Sequence, residues 1–86
     1  MAPVVIYTTM FCSYCYAAKR LLTEKGVAFE EIDVGFDPGL RAKMRERANG
    51  QRTVPQIFIG DTHVGGSDDL HRLEREGRLD ALLATA

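Results

Sequence analysis

The sequence has no tryptophan, only two cysteines and only three prolines among its 86 residues, and neither sign of charge predominates. Eleven Lys and Arg residues against twelve Asp and Glu residues give a formal net charge of −1. This balance excludes the basic surface that is typical of nucleic-acid-binding proteins. The apolar runs are far shorter than the roughly 20 residues of a transmembrane helix, so we expect no membrane association.

The first nine residues, MAPVVIYTT, contain no Lys or Arg, and their apolar run is short. They therefore do not resemble a secretory signal peptide. Without export we expect a cytoplasmic protein in a reducing compartment, where permanent disulfides are rare. The chain is long enough for one modest hydrophobic core and too short for two, so we expect a single domain over residues 1–86.

Strand and helix patterns alternate along the chain. The predicted elements are a strand over 4–8, a helix over about 12–25, a strand over 28–34, a helix over about 38–49, strands over 56–59 and 62–64, a helix from 67 to about 76 and a last short helix around 79–83. Asp37 and Ser67 are the predicted N-caps of the second and third helices. The order β-α-β-α-β-β-α predicts an α/β fold in which a four-stranded mixed sheet is flanked by helices.

Both cysteines lie in FCSYC, residues 11–15. A structural zinc site needs four ligands, and the two histidines, His63 and His71, are eight positions apart in a predicted strand and a predicted helix. A permanent disulfide does not suit a reducing compartment. A chemically inert pair is a further alternative, whereas a C-x-x-C between a first strand and its crossover helix is typical of a redox-active dithiol.

The position of the two thiols predicts their roles. Cys12 is expected at the N-terminus of the first helix, where unpaired N–H groups and the helix dipole stabilise a thiolate. Cys15 follows one helical turn later on the same face, where it is less exposed but can reach the Cys12 sulfur. We therefore expect Cys12 to act as the nucleophile and Cys15 to resolve the intermediate.

Further segments accompany these cysteines at characteristic separations. They are Tyr7-Thr8, the sequence RTVPQIFI over 52–59 and the sequence GGSDDL over 65–70. With these segments the chain resembles the small bacterial-type dithiol glutaredoxins, which have the thioredoxin fold. The resemblance extends from about Val4 to Leu83, which is almost the whole chain.

The resemblance implies a glutathione-dependent thiol–disulfide oxidoreductase that reduces protein disulfides and glutathionylated proteins, with glutathione as co-substrate. It implies a cis bond before Pro55 and a backbone at Val54 that pairs with an extended peptide. The glutathione-binding residues that it implies are Tyr14, Arg41, Thr53, Val54, Pro55, Gly66, Ser67 and Asp68. Helix capping by Ser67 and Asp68, or a solvated helix face at Arg41, would explain those residues as well.

Two positions depart from the family pattern. Ser13 stands where many dithiol members have proline, and Thr9 stands where a lysine is common, so Arg41 is expected to contribute more to glutathione binding. We expect a monomer. One alternative is a thioredoxin-like protein that is reduced by a flavoprotein. A second is an iron–sulfur carrier in which two subunits, each with Cys12 and one glutathione, bridge a [2Fe–2S] cluster, and visible absorbance after anaerobic purification would distinguish it.

Overall fold

The computed structural model describes residues 2–84, and in this range four strands and four helices alternate as the sequence predicts. The elements are β1 (Val4–Thr8), α1 (Ser13–Glu24), β2 (Glu30–Asp33), α2 (Pro38–Arg47), β3 (Gln56–Ile59), β4 (Thr62–Gly65), α3 (Ser67–Arg75) and α4 (Leu79–Leu83). This is the thioredoxin-like arrangement that was expected. None of the helices within residues 2–84 is long and apolar enough to cross a membrane.

The strands form one mixed sheet in the order β2-β1-β3-β4. β1 is parallel to β2 and antiparallel to β3, and β3 is antiparallel to β4. Near the carboxyl end of β1, Tyr7 is paired with Gln56, the first residue of β3. This pairing brings the loop that follows β1, which contains Cys12, close to the segment that precedes β3.

The core consists of two clusters of buried side chains. Ile6 and Ile57 belong to the larger cluster with residues of α1, α3 and α4, whereas Tyr7 and Phe58 belong to the smaller one with residues of α2. Adjacent strand residues point to opposite faces of a sheet, so the two clusters cover its two faces. The buried faces predicted for the first two helices are confirmed. The side chains concerned are Ala18, Leu21, Leu22, Met44 and Ala48, which are buried, and Leu40, which is partly buried.

The helix ends follow from local chemistry. The Leu40 N–H donates a hydrogen bond of 3.0 Å to Asp37 Oδ1, which confirms Asp37 as the N-cap of α2. α2 ends at Arg47, about two residues earlier than predicted. Asn49 and Gly50 have φ values of 56° and 89°, and left-handed residues end a helix.

Two local predictions are wrong. The N-cap of α3 is Gly66, and Ser67 is the first helical residue, because the Asp69 carboxylate accepts a hydrogen bond of 2.9 Å from the Gly66 N–H. β2 comprises only Glu30–Asp33 instead of 28–34. Its length is set by its neighbour, since its residues pair one to one with Val5 to Thr8 of β1.

Candidate active site

Cys12 is the N-cap of α1. Its backbone is extended, with φ −107° and ψ 108°, and its Sγ accepts a hydrogen bond of 3.1 Å from the Cys15 N–H. Asp, Ser or Thr oxygens usually accept this bond at a helix start. A sulfur in this position has a backbone donor directed at it, and a donor stabilises the thiolate more than the thiol. The placement of Cys12 at the helix N-terminus is therefore confirmed.

Cys15 lies one turn further along α1 and is only 1% exposed. Burial, together with a hydrogen bond to the Cys12 side chain, raises the pKa of the Cys15 thiol to about 12. Cys12, in contrast, is partly exposed. The predicted difference in exposure between the two thiols is confirmed.

A groove of about 420 Å³ lies beside the start of α3 and the segment before β3. We call it the substrate groove, and it is lined by Tyr14, Gln51, Thr53, Val54, Pro55, Gly66, Ser67, Asp68 and Asp69. Seven of the eight residues proposed for glutathione are in this set. The Cys12 thiol donates a long hydrogen bond of 3.9 Å to the Val54 carbonyl oxygen, so the sulfur lies at the edge of the groove. The Val54–Pro55 peptide bond is cis, as the resemblance implies.

A buried amide supports one wall of this groove. Gln56 is 0% exposed, and its Nε2 donates to the Thr53 carbonyl oxygen at 3.0 Å. Its Oε1 lies 2.7 Å from His63 Nε2, which must carry the hydrogen, because the Gln56 amide oxygen only accepts. Sequence reasoning missed this residue, although a glutamine at the start of an otherwise apolar strand was the available signal.

The opposite wall is formed by the turn into α3. Gly65 has a φ of 110°, and a Cβ at this position would collide with the Asp69 carboxylate. At Gly66 an added Cβ would meet the Pro55 carbonyl oxygen at 3.7 Å and Asp69 Oδ2 at 4.0 Å, which are ordinary contacts. The turn therefore requires glycine at position 65, because any side chain there would collide with Asp69.

Two residues that line the groove, Gln51 and Asp69, were not predicted. Asp69 was visible as an acidic residue in the first turn of α3, whereas Gln51 gave no signal in the sequence.

Arg41 is not among the residues that line the substrate groove. It lines a separate cavity of about 230 Å³ together with Arg45 and Arg52. Its Nη2 donates a hydrogen bond of 3.1 Å to the Arg52 carbonyl oxygen. Thr9 also lies elsewhere, in a third cavity of about 280 Å³ that both cysteines line.

Within residues 2–84, no group of three or more His, Cys, Asp or Glu side chains could hold a metal ion. His71 Nδ1 lies 2.8 Å from the Ser67 carbonyl oxygen, and His63 contacts Gln56, so each imidazole has a partner within the fold.

Comparisons with known proteins agree with this geometry. The family model described as glutaredoxin matches residues 4–64. A glutaredoxin of Pseudomonas aeruginosa is 62% identical over 84 residues, which cover 98% of this chain and 99% of the relative. The solution structure of a glutaredoxin from Brucella melitensis, 58% identical, superimposes with a TM-score of 0.85 and covers 96% of this chain and 89% of that one.

A crystal structure of a buckwheat glutaredoxin–glutathione complex is 32% identical and also has a TM-score of 0.85, covering 95% of this chain and 76% of that one. The family match, the close relatives and the helix-end thiol of Cys12 beside a groove all point in one direction. The chain belongs to the glutaredoxin family of thiol–disulfide oxidoreductases.

Proposed function

We propose that this glutaredoxin reduces protein disulfides and glutathionylated proteins, and that it uses glutathione as the co-substrate. The observation that best supports the proposal is the position of the Cys12 sulfur at the edge of a groove lined by seven of the residues proposed for glutathione. The shared fold with a glutaredoxin that was crystallised with glutathione adds support.

The groove offers complementary groups for each part of glutathione. The backbone of Val54, in the extended segment before β3, can pair with the backbone of the cysteinyl residue, as in addition of a β-strand. The first N–H groups of α3 lack intrahelical partners, and they suit the α-carboxylate of the glutamyl residue. The exposed carboxylate of Asp68 would accept hydrogen bonds from its ammonium group, while Tyr14, 64% exposed, would cover the disulfide.

The reaction is two successive thiol–disulfide exchanges. The Cys12 thiolate attacks one sulfur of the substrate disulfide, a mixed disulfide forms, and the other sulfur leaves as a thiolate. The mixed disulfide is then broken in one of two ways. In the first, the Cys15 thiolate attacks Cys12 Sγ, closes an intramolecular disulfide and releases the substrate thiolate, and two glutathiones later reduce that disulfide. In the second, Cys12 carries glutathione, and a second glutathione thiolate attacks the glutathione sulfur, forms oxidised glutathione and releases the Cys12 thiolate.

A paired assay tests the co-substrate. We expect rapid turnover of a glutathionylated substrate when reduction is coupled to glutathione and glutathione reductase, and little turnover when it is coupled to thioredoxin reductase. Asp68→Asn should raise the KM for the glutathionylated substrate by about 2- to 12-fold, since one hydrogen bond to a ligand contributes about 0.5 to 1.5 kcal/mol.

The matched control is Asp61→Asn, which removes the same charge from the exposed β3–β4 turn. Equal KM changes for the two variants would show that Asp68 acts only through net charge. Faster turnover with thioredoxin reductase than with glutathione would overturn the proposed co-substrate.

The remaining expectations stay predictions. They are the single domain over residues 1–86, the monomeric state and the cytoplasmic location. The predicted location rests on the need of a working dithiol for a reducing compartment. The direct contact of Arg41 with glutathione is also a prediction, since Arg41 faces another cavity. The [2Fe–2S] alternative has no specific observation in its favour.

A further inference from the structure

A second cavity adjoins the two cysteines. Its volume is about 280 Å³, and Cys12, Cys15, Lys19, Glu31 and Asp33 are among its lining residues. We call it the cysteine-side cavity. The mechanism described above uses only the two sulfurs, so the charged side chains of this cavity have no role in it.

Lys19 and Glu31 form an ion pair in this cavity. Lys19 Nζ lies 3.0 Å from Glu31 Oε2, and the same oxygen accepts a hydrogen bond of 2.7 Å from the Thr8 hydroxyl. The Thr8 hydroxyl, followed by Lys19, lowers the pKa of Glu31, and the bond to Glu31 raises the pKa of Lys19. Both groups are therefore charged at neutral pH, and Lys19 is held in one place.

The spacing along α1 places Lys19 on the same helix face as Cys15. Lys19 follows Cys15 by four residues, so the two side chains lie on the same face of the helix. The positive charge of Lys19 lowers the pKa of Cys15, although burial is the larger effect and raises it. The other titratable groups that line the cavity are Tyr16 from α1, Asp33 from the end of β2, and Cys12.

The resolving step needs a thiolate from a thiol whose pKa is about 12 in the reduced protein. Part of this high value comes from Cys12, through a hydrogen bond and through its charge. When Cys12 is bound in a mixed disulfide it is neutral and no longer has a charge that opposes a second thiolate. The positive charge of Lys19 then still favours the thiolate form of Cys15.

We propose that Lys19, held in place by Glu31, stabilises the Cys15 thiolate at the moment when Cys15 resolves the mixed disulfide on Cys12. The inference rests on the proposed role of Cys15 as the resolving thiol. Cys15 gives up its proton to solvent, its thiolate attacks Cys12 Sγ, and the Cys12–Cys15 bond forms as the bond from Cys12 to the substrate sulfur breaks. The released thiolate takes up a proton, so the step is balanced. Lys19 and Glu31 are positioning residues, since neither exchanges electrons with the sulfurs.

A single-turnover experiment isolates this step. The fully reduced protein is mixed with excess dithiobis-nitrobenzoate, an aryl disulfide that releases a coloured thiolate. The first release reports attack by Cys12, and the second reports attack by Cys15 on the Cys12 adduct. Both rates are measured in stopped flow between pH 6 and 10, and Cys15→Ser identifies the second phase by removing it.

Lys19→Met keeps the apolar stem and removes the charge. We expect its second phase to be about 3- to 10-fold slower at pH 7, which corresponds to about 0.5 to 1 pKa unit at Cys15. The wild-type and variant rates should differ by the same factor at each pH below the pKa of Cys15 and should converge only above it, and the first phase should be unchanged. Lys19→Arg should restore most of the rate.

Arg20→Met is the matched control. It removes a cation from the next position of α1, where Arg20 pairs with Glu24 and its side chain is 82% exposed. A second phase with the same rate in Lys19→Met and wild type would overturn the proposal. So would an equal change in Arg20→Met, or a second phase that stays as slow in Lys19→Arg as in Lys19→Met, which would indicate a structural effect instead of a lost charge.

The folded state of each variant is checked by circular dichroism, and Lys19→Gln is a second neutral variant if Lys19→Met unfolds. Failure here is distinct from failure of the proposed co-substrate, because the experiment contains no glutathione. A wild type without any second phase would instead contradict the resolving role of Cys15 itself.

Discussion

The two cavities beside the cysteines differ in what lines them. The substrate groove is lined by polar side chains, Pro55, Gly66 and two carboxylates without a facing cation in its lining, whereas the cysteine-side cavity has an ion pair between Lys19 and Glu31. Exposed backbone groups suit recognition of a peptide such as glutathione. Fixed charges suit control over the ionisation of a buried thiol. If both proposals hold, substrate binding and resolution of the mixed disulfide are served by different parts of a very small protein.

The largest expected effect separates the two cysteines. Cys12→Ser should abolish both deglutathionylation and protein-disulfide reduction, because the buried Cys15 has neither the exposure nor the helix-end donor of Cys12. Cys15→Ser should keep deglutathionylation and slow protein-disulfide reduction by more than about 100-fold, since a tethered thiol acts at a far higher effective concentration than free glutathione.

Both activities are measured for both variants at equal concentrations of folded protein. Deglutathionylation that disappears in Cys15→Ser, or that persists in Cys12→Ser, would show that the roles of the two thiols are reversed or shared. Either result would remove the distinction between a binding side and a resolving side.

A smaller effect is expected at Arg41, which lies outside the substrate groove. Arg41→Gln should raise the KM for a glutathionylated substrate by about 1.4- to 5-fold, because an exposed charge pair is worth about 0.2 to 1 kcal/mol. The effect should shrink as the salt concentration rises. Arg45→Gln is the control, since Arg45 lines the same cavity but does not match the family position. Equal effects of the two variants would mean that only the local positive potential matters.

The smallest effect concerns stability. The pKa of Glu31 is lowered in the folded protein, so its ionised form adds stability above the unfolded value of about 4.3, and this is lost as the pH falls through the folded value. The pKa of Lys19 is raised, so its contribution is present below about 10.4 and is lost as the pH rises through its folded value.

Glu31→Gln should therefore be less stable than wild type between about pH 5 and 10, and the difference should shrink as the pH falls through the folded pKa of Glu31. Because both side chains are partly exposed, water screens the pair, and we expect a difference in unfolding free energy of about 0.2 to 1 kcal/mol. Urea unfolding at a series of pH values measures this, with Glu24→Gln as the control on another ion pair of α1. A difference that does not shrink as the pH falls would indicate lost packing instead of lost charge.

The sequence predicted those features that depend on neighbours along the chain. The order of elements, the N-cap Asp37 and the positions of Cys12 and Cys15 depend on local patterns, and the structure confirms them. The residues proposed for the substrate groove followed from short motifs of the glutaredoxin family, and Thr53, Val54 and Pro55 do meet the start of α3.

Features that depend on register between distant segments could not be predicted. Lys19 and Glu31 meet because β2 pairs in parallel with β1, which places Glu31 beside Ile6 and within reach of α1. Nothing in the local sequence of either residue specifies this contact. The N-cap of α3 was placed one residue late for a different, local reason. A serine before two aspartates fits the capping pattern as well as Gly66 does.

The buried Gln56 amide has a consequence for the speed of binding. Its bonds to Thr53 and His63 hold the segment before β3 in place without any help from a ligand. An incoming peptide therefore meets an edge that is already ordered, and little conformational entropy of the protein is lost on association. Binding energy that would otherwise go into ordering a loop remains available for the ligand, and the affinity of the site depends on contacts rather than on induced structure. An ordered edge of this kind favours rapid exchange of bound partners over tight retention of any one of them.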